Sequence, residues 1–283
     1  MSRTGSKLMT HGSRHVARSI GVAALTFGAS LLVALALVTA DPAAAPQPAA
    51  AARAGSARGT VPVDLTGYWV SLVTEDWRWR MVAPAKGDYQ GVPLNPAGRK
   101  LADTWNPSMD GACEAYGAAG LLRMPGRLHI TWEDDDTLKL ETDAGQQTRL
   151  LRFRPSGPPP GSRSLQGYSV AEWVQGGRGR GLGGFGGLGG GGGGGVRWAP
   201  LRVRTTELSG GWLRRNGVPY SEQATLTEQF LLLRERPDAE VQWLTVLTTV
   251  EDPTYLVGSF ITSTNFKREP DGSKWNQKPC RSR

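Results

Sequence analysis

The side chains that could do chemistry in this chain are few and widely spaced. In "ATLTEQFLLLRE" (224–235), Leu226, Phe230 and Leu232 share the parity of Glu228, so a regular strand turns that carboxylate inward with them. A charge left unpaired in a core is costly, so Glu228 needs a cation, and Arg80, Arg149 and Arg204 are the candidates. Such a pair is the anchor of a ligand head group, an acid/base device or, more commonly, a structural ion pair. A bulge that turns Glu228 outward is the remaining alternative. Trp77 and Trp79 alternate with Arg78 and Arg80. Read as strand, that segment has one aromatic and one cationic face. An aromatic wall suits sugars, lipids or planar ligands, and core packing explains tryptophan equally well. His129 shares parity with Thr131, opposite Leu128, Ile130 and Trp132, and so faces solvent. No nucleophile, base and orienting group stand together, so no catalytic residue is assigned and the reading leans away from an enzyme.

Strands have to position these groups. "RLHITW" (127–132) and "TLKLETD" (137–143) each alternate apolar with polar, and the acidic "EDDD" between them reads as a hairpin turn. "QTRLLRF", "GYSVAEWV", "LRVRTTEL", "ATLTEQFLLLRE", "VQWLTVLTTV" and "FITSTNFKRE" follow as further strands, and "DLTGYWVSLVTEDWRWR" (64–80) opens the series. A mainly β fold is expected, a single antiparallel meander barrel of about 8–10 strands. Helix is confined to a short insertion after strand one, over 95–117. Asn95 and Asn106 are its N-caps, Pro96 and Pro107 stand at first helical positions, and Gly117 is placed to end it. That insertion either caps a barrel mouth or packs on the wall.

The remaining segments bound the function. Residues 1–19 carry four basic side chains and no acid, and Ile20 to Val38 is apolar or small, so 1–40 reads as a signal peptide. The alternative is an uncleaved N-terminal anchor in the inner membrane, with the protein facing outward. Either way the protein is exported, to the periplasm or the extracellular space. Residues 41–60 are an Ala/Pro-rich disordered linker, and 61–283 form the barrel domain. "GGRGRGLGGFGGLGGGGGGG" (176–195) contains Gly179-x-Gly181-x-x-Gly184, but no helix follows to hold a dinucleotide. It reads as a disordered loop rather than as an RNA-binding Arg-Gly segment. Six of the 33 Lys and Arg precede residue 61 against one of the 25 acids, so 61–283 carries 27 basic and 24 acidic side chains. That balance lacks the basic footprint of a nucleic-acid binder. Cys113 and Cys280, far apart and without C-x-x-C spacing, are most simply one disulfide in an exported protein. After loss of the signal only His129 remains of three histidines, so a His-rich metal site is excluded and no cofactor is implied.

Gly67-x-Trp69 on strand one, followed by a meander, resembles the lipocalin-like (calycin) superfamily. The resemblance implies that Trp69 packs across the closed end of the barrel, with Lys267 or Arg268 lying over it. Gly67 is then needed where the strand begins. The segments "DLTGYW", "PLNPAGRKLADTW", Cys113 followed by "YGAAGLLRMPGRLHI", "GVPYSE" and "TTVEDPTYL" are similar to a family of secreted bacterial proteins whose function is not established. That resemblance implies fold and location and brings no catalytic residues. The expectation is a barrel that binds a small, partly apolar or aromatic ligand through Trp77, Trp79, Arg80, Arg149 and Glu228. The alternative is an interaction or structural protein of the cell envelope with a packed barrel.

Overall fold

The structure is a computed structural model, described over residues 55–109, 113–155, 157, 159, 161–174, 199–234 and 241–280. The signal peptide, most of the linker and the glycine tract expected from the sequence lie outside these residues. The strands in chain order are β1 (Gly67–Leu72), β2 (Arg127–Asp134), β3 (Thr137–Thr142), β4 (Ala144–Gly145), β5 (Thr148–Arg152), β6 (Tyr168–Trp173), β7 (Leu201–Thr206), β8 (Gly211–Arg214), β9 (Val218–Tyr220), β10 (Thr225–Arg234), β11 (Gln242–Glu251), β12 (Phe260–Glu269) and β13 (Lys278–Pro279). Nine of them close a barrel in the order β1-β12-β11-β10-β7-β6-β5-β3-β2. The mainly β barrel with a helical insertion after strand one is therefore observed.

One expectation is corrected. The barrel is not wholly antiparallel, because β5 and β6 run parallel, with Leu151 opposite Ser169 and Arg152 opposite Val170. The connection between them, from residue 153 to 167, is too long for a hairpin turn, and β6 enters from the same end as β5. The other eight neighbouring pairs are antiparallel.

Alternation sorts the barrel residues as the sequence implies. Trp69, Leu128, Ile130, Leu138, Leu140, Leu151, Leu201, Val203, Phe230, Leu244, Val246 and Phe266 pack into one interior cluster with Leu65. Residues 56–66 cross the end of the barrel where β1 begins. The Ala57 N–H donates to Asp136 at 2.7 Å, and Leu65 is buried beneath Trp69. The indole N–H of Trp69 donates to the Leu65 carbonyl at 3.0 Å, and the Arg268 guanidinium lies 5.4 Å from the Trp69 ring centre. Arg268 also donates to the Thr66 carbonyl at 2.6 Å and to Gln242 at 2.8 Å. Of the two cations considered, Arg268 covers the tryptophan, while Lys267 is exposed. Gly67 has φ +114°, and a Cβ there would lie 3.2 Å from the Arg268 guanidinium, so both backbone and space require glycine.

At the opposite end sit the insertion helices α1 (Trp77–Arg80), α2 (Pro96–Ala102) and α3 (Ala118–Leu121), with the β8-β9 ribbon. Helices α2 and α3 and the ribbon share a second apolar cluster with Leu226, Val250 and Phe260, at the ends of the barrel strands. The insertion thus caps a mouth. The Asn95 side chain accepts from the Gly98 N–H at 2.8 Å, with Pro96 beside it, as the N-cap pattern requires. The second helix expected after Asn106 is shorter than its pattern. Asn106 caps Ser108 at 3.0 Å, but only a 3-10 turn over Pro107–Met109 follows. Cys113 then takes a left-handed conformation, φ 59°, which a continuous right-handed helix does not permit. Gly117 ends the 3-10 turn Glu114–Tyr116, as its place in the pattern implies, and also opens α3, so the insertion runs on to Leu121.

Candidate functional site

Between the apolar floor and the apolar cap runs a belt of inward-facing polar side chains. Thr142, Arg149, Ser169, Thr205, Glu228, Thr248, Thr262 and Thr264 are all buried and share strand parity with the core residues around them. Seven strands contribute. A polar belt inside a barrel contradicts the simplest packing rule, so each group needs a partner.

Glu228 and Arg149 find one another. Both side chains are fully buried, and they pair bidentately, Nη1 to Oε1 at 3.0 Å and Nη2 to Oε2 at 2.7 Å. Nη2 also reaches Thr205 at 3.2 Å and Ser169 at 3.4 Å, and those two hydroxyls are 2.8 Å apart. The sequence turned Glu228 inward and named Arg149 among three possible partners. The other two are elsewhere: Arg204 points outward and is exposed, and Arg80 is committed to the cap.

The pair does not exhaust its surroundings. Arg149 Nε, the Tyr220 hydroxyl and Glu114 Oε2 are buried and have no hydrogen-bond partner among the described residues, and the same is true of Gln166 Oε1 and Thr264 Oγ1. Tyr220 lies within electrostatic reach of both Arg149 and Glu114. Burial is the larger influence and holds its hydroxyl protonated well above the ordinary tyrosine range. A side chain at Gly117 or Gly211 would run into that hydroxyl, so these two glycines leave the room that Tyr220 occupies. Tyr220 escaped the sequence reading. The Asn216-Gly217 dipeptide between two short β-prone runs was the available hairpin signal for β8-β9, the ribbon that carries it.

Trp77, Trp79 and Arg80 are placed differently from the expectation. Strand β1 stops at Leu72, and Trp77–Arg80 is one turn of helix, so there is no alternation of aromatic and cationic faces. Asp76 at φ 51° makes the break between them. Trp77 is 66% exposed. Trp79 stacks on Arg214, whose guanidinium is 4.6 Å from its ring centre, and its indole N–H donates to Asp88 at 3.2 Å. Burial lowers the pKa of Arg214 to about 10, with Arg123 nearby adding to the effect and Asp76 and Asp88 opposing it. Arg80 is buried, pairs with Glu75 and donates to Ser71 at 3.1 Å and to the Arg123 carbonyl at 3.1 Å. Desolvation lowers its pKa too. Trp79 and Arg80 belong to the contacts that hold the cap, Trp77 faces outward, and none of the three gathers at the Arg149–Glu228 pair.

His129 stands on the outer face as expected, but it is covered. Tyr68 stacks on it at 4.1 Å, and Trp275 meets both rings edge-on, at 5.8 Å from Tyr68 and 5.7 Å from His129. Cys113 and Cys280 are joined, with Cα atoms 6.0 Å apart, which ties the insertion to the C-terminal segment. Among the described residues, no group of three or more His, Cys, Asp or Glu is placed to hold a metal ion. No helix among them is long and apolar enough to cross a membrane.

Fold and site define a closed, mixed β-barrel with an apolar floor, a buried polar belt and a helical cap. Compared with known protein families and with characterised proteins, the chain matches none.

Proposed function

We propose that this is an exported, lipocalin-like protein that binds a small, partly apolar ligand inside its barrel, beneath the helical cap, without transforming it. The apolar body of the ligand rests toward the floor, and its polar end meets the belt around Arg149 and Glu228. The observation that carries this reading is the trio of buried, unpartnered polar atoms, Arg149 Nε, Tyr220 OH and Glu114 Oε2. An unmet buried polar group costs on the order of 1–3 kcal/mol, so three in one neighbourhood imply a ligand or ordered water among them. Export is supported by the signal-like N-terminus and by the Cys113–Cys280 bridge, which persists in oxidising compartments. The calycin likeness is supported by Gly67, Trp69 and Arg268 at the floor.

The test is to purify the exported protein, release small molecules by denaturation and identify them by mass spectrometry. A compound should come with the wild type in stoichiometric amount and be lost from Tyr220→Phe and from Arg149→Met/Glu228→Leu, with both variants folded. A wild type that carries nothing and takes up no apolar probe, with Tyr220→Phe less stable than it, would show that the belt is structural. The second reading, an envelope interaction protein with a packed barrel, has its own observation. Trp77, Met81 and Val82 are 66%, 57% and 64% exposed within six residues, an apolar patch of the kind that meets partners.

A further inference from the structure

A cavity of about 520 Å3 opens on the outside of the barrel where the C-terminal segment crosses it. Arg127 and Asp143 line it from the barrel wall, Arg215 from the turn between β8 and β9, and Lys274, Asn276 and Lys278 from the crossing segment. That segment is a strap fixed at three points. Trp275 sits on the Tyr68 and His129 rings, β13 pairs in parallel with β4, and Cys280 is bonded to Cys113.

Charge decides what such a groove prefers. Its lining carries four cations and one carboxylate. Asp143 is turned to the backbone, accepting from the Arg127 and Ala144 N–H groups at 2.7 and 2.6 Å. Arg127 is engaged by Glu269 at 2.8 Å. Lys274 reaches only to 3.9 Å from Glu269, with its side chain 71% exposed. Among the described residues, Arg215 and Lys278 have no ion pair, and Asn276 adds an amide donor. Two free cations, a loosely held third and an amide around a concave space suit an anion with several charged oxygens.

We propose that this groove binds a small soluble polyanion, a compound with two or more carboxylate or phosphate groups, through Arg215, Lys274 and Lys278, and that the disulfide keeps the site assembled by fixing the strap. The inference is independent of the barrel ligand. The strap supplies two of the three cations, and a strap released at Cys280 has only the Trp275 stack and the β4-β13 pairing to hold them opposite Arg215.

The experiment is titration calorimetry of the full chain with pyrophosphate and with citrate at low ionic strength. At least one anion should bind, more weakly as salt rises. Arg215→Gln/Lys274→Gln/Lys278→Gln should lose on the order of tenfold or more in affinity while melting as the wild type does, and Lys278→Arg should retain binding. Cys113→Ser/Cys280→Ser, measured where circular dichroism shows the barrel intact, should lose binding to a similar degree. Failure of both anions to bind the wild type, or equal binding by the triple variant, would overturn the site. Equal binding by the folded disulfide-free protein would overturn the role of the strap. Adsorption to phosphatidylglycerol vesicles with neither soluble anion bound would overturn the choice of a soluble ligand.

Discussion

The two ends of the barrel solve the same problem in opposite ways. At the floor, the polar groups brought in with Trp69 and Arg268 find partners: the indole N–H goes to Leu65, and the two guanidinium Nη groups to Thr66 and Gln242. Under the cap, a fully buried ion pair lies near the Tyr220 hydroxyl and Glu114 Oε2, which have no hydrogen-bond partner among the described residues. The contacts of Trp69 and Arg268 serve the stability of the floor. The capped end forgoes stability, and a region that does so is where binding is expected.

Variants can break this contrast. Trp69→Ala should cost about 3–5 kcal/mol, the range for emptying a large aromatic site, and should lower the melting temperature without regard to ligand. Glu228→Leu should cost a similar amount, about 3–5 kcal/mol, because Arg149 is left buried without its counter-charge. The two losses differ in their rescue. Arg149→Met added to Glu228→Leu should recover most of the second loss, since two apolar groups replace a pair that must be desolvated. Denaturant melts of the four proteins decide it, and a double variant as unstable as the single one would show that the belt needs a charge for its own fold. Tyr220→Phe is the milder probe. In ligand-free protein it removes an unmet hydroxyl and should leave stability unchanged or raise it by up to about 1–3 kcal/mol. Lower stability would mean that the hydroxyl already has a partner such as ordered water.

How much of this was legible in the sequence depended on the range of the contact. Parity within a strand is local, so the inward turn of Glu228 and the burial of Trp69 could be read from a few neighbouring residues. Arg149 could be named only as one of several cations, because which strands adjoin is set by closure of the barrel and by the parallel β5-β6 step. The segment Trp77–Arg80 misled because alternating residues fit a strand equally well in the abstract. The left-handed Asp76 that ends the extended chain has no alternation signature. The polar neighbourhood of Tyr220 was out of reach for a different reason: it is assembled from β5, β9 and the turn at Glu114, far apart in sequence.

The smallest expected effect lies outside both ends, at the strap. His129 is flanked by Glu141 and Lys139 from β3, with Nδ1 3.5 Å from the Glu141 carboxylate, by Tyr68 from β1 and by Trp275 from the strap. Its pKa is lowered. Burial under the aromatic rings is the main cause, while Glu141 opposes the shift and Lys139 adds to it. A histidine with a depressed folded-state pKa favours the fold when neutral. Its contribution is therefore full above the unfolded value near 6.5 and is lost as pH falls through the folded value. Acidification should loosen Trp275 before the barrel melts, as protonation draws the imidazole toward water and away from the stack. His129→Phe keeps an aromatic ring between Tyr68 and Trp275 but cannot titrate. Hydrogen exchange of the strap amides between pH 7 and pH 5 should accelerate in the wild type, beyond the intrinsic pH dependence, and not in His129→Phe. Equal behaviour of the two proteins would mean that the disulfide and the β4-β13 pairing hold the strap without the histidine.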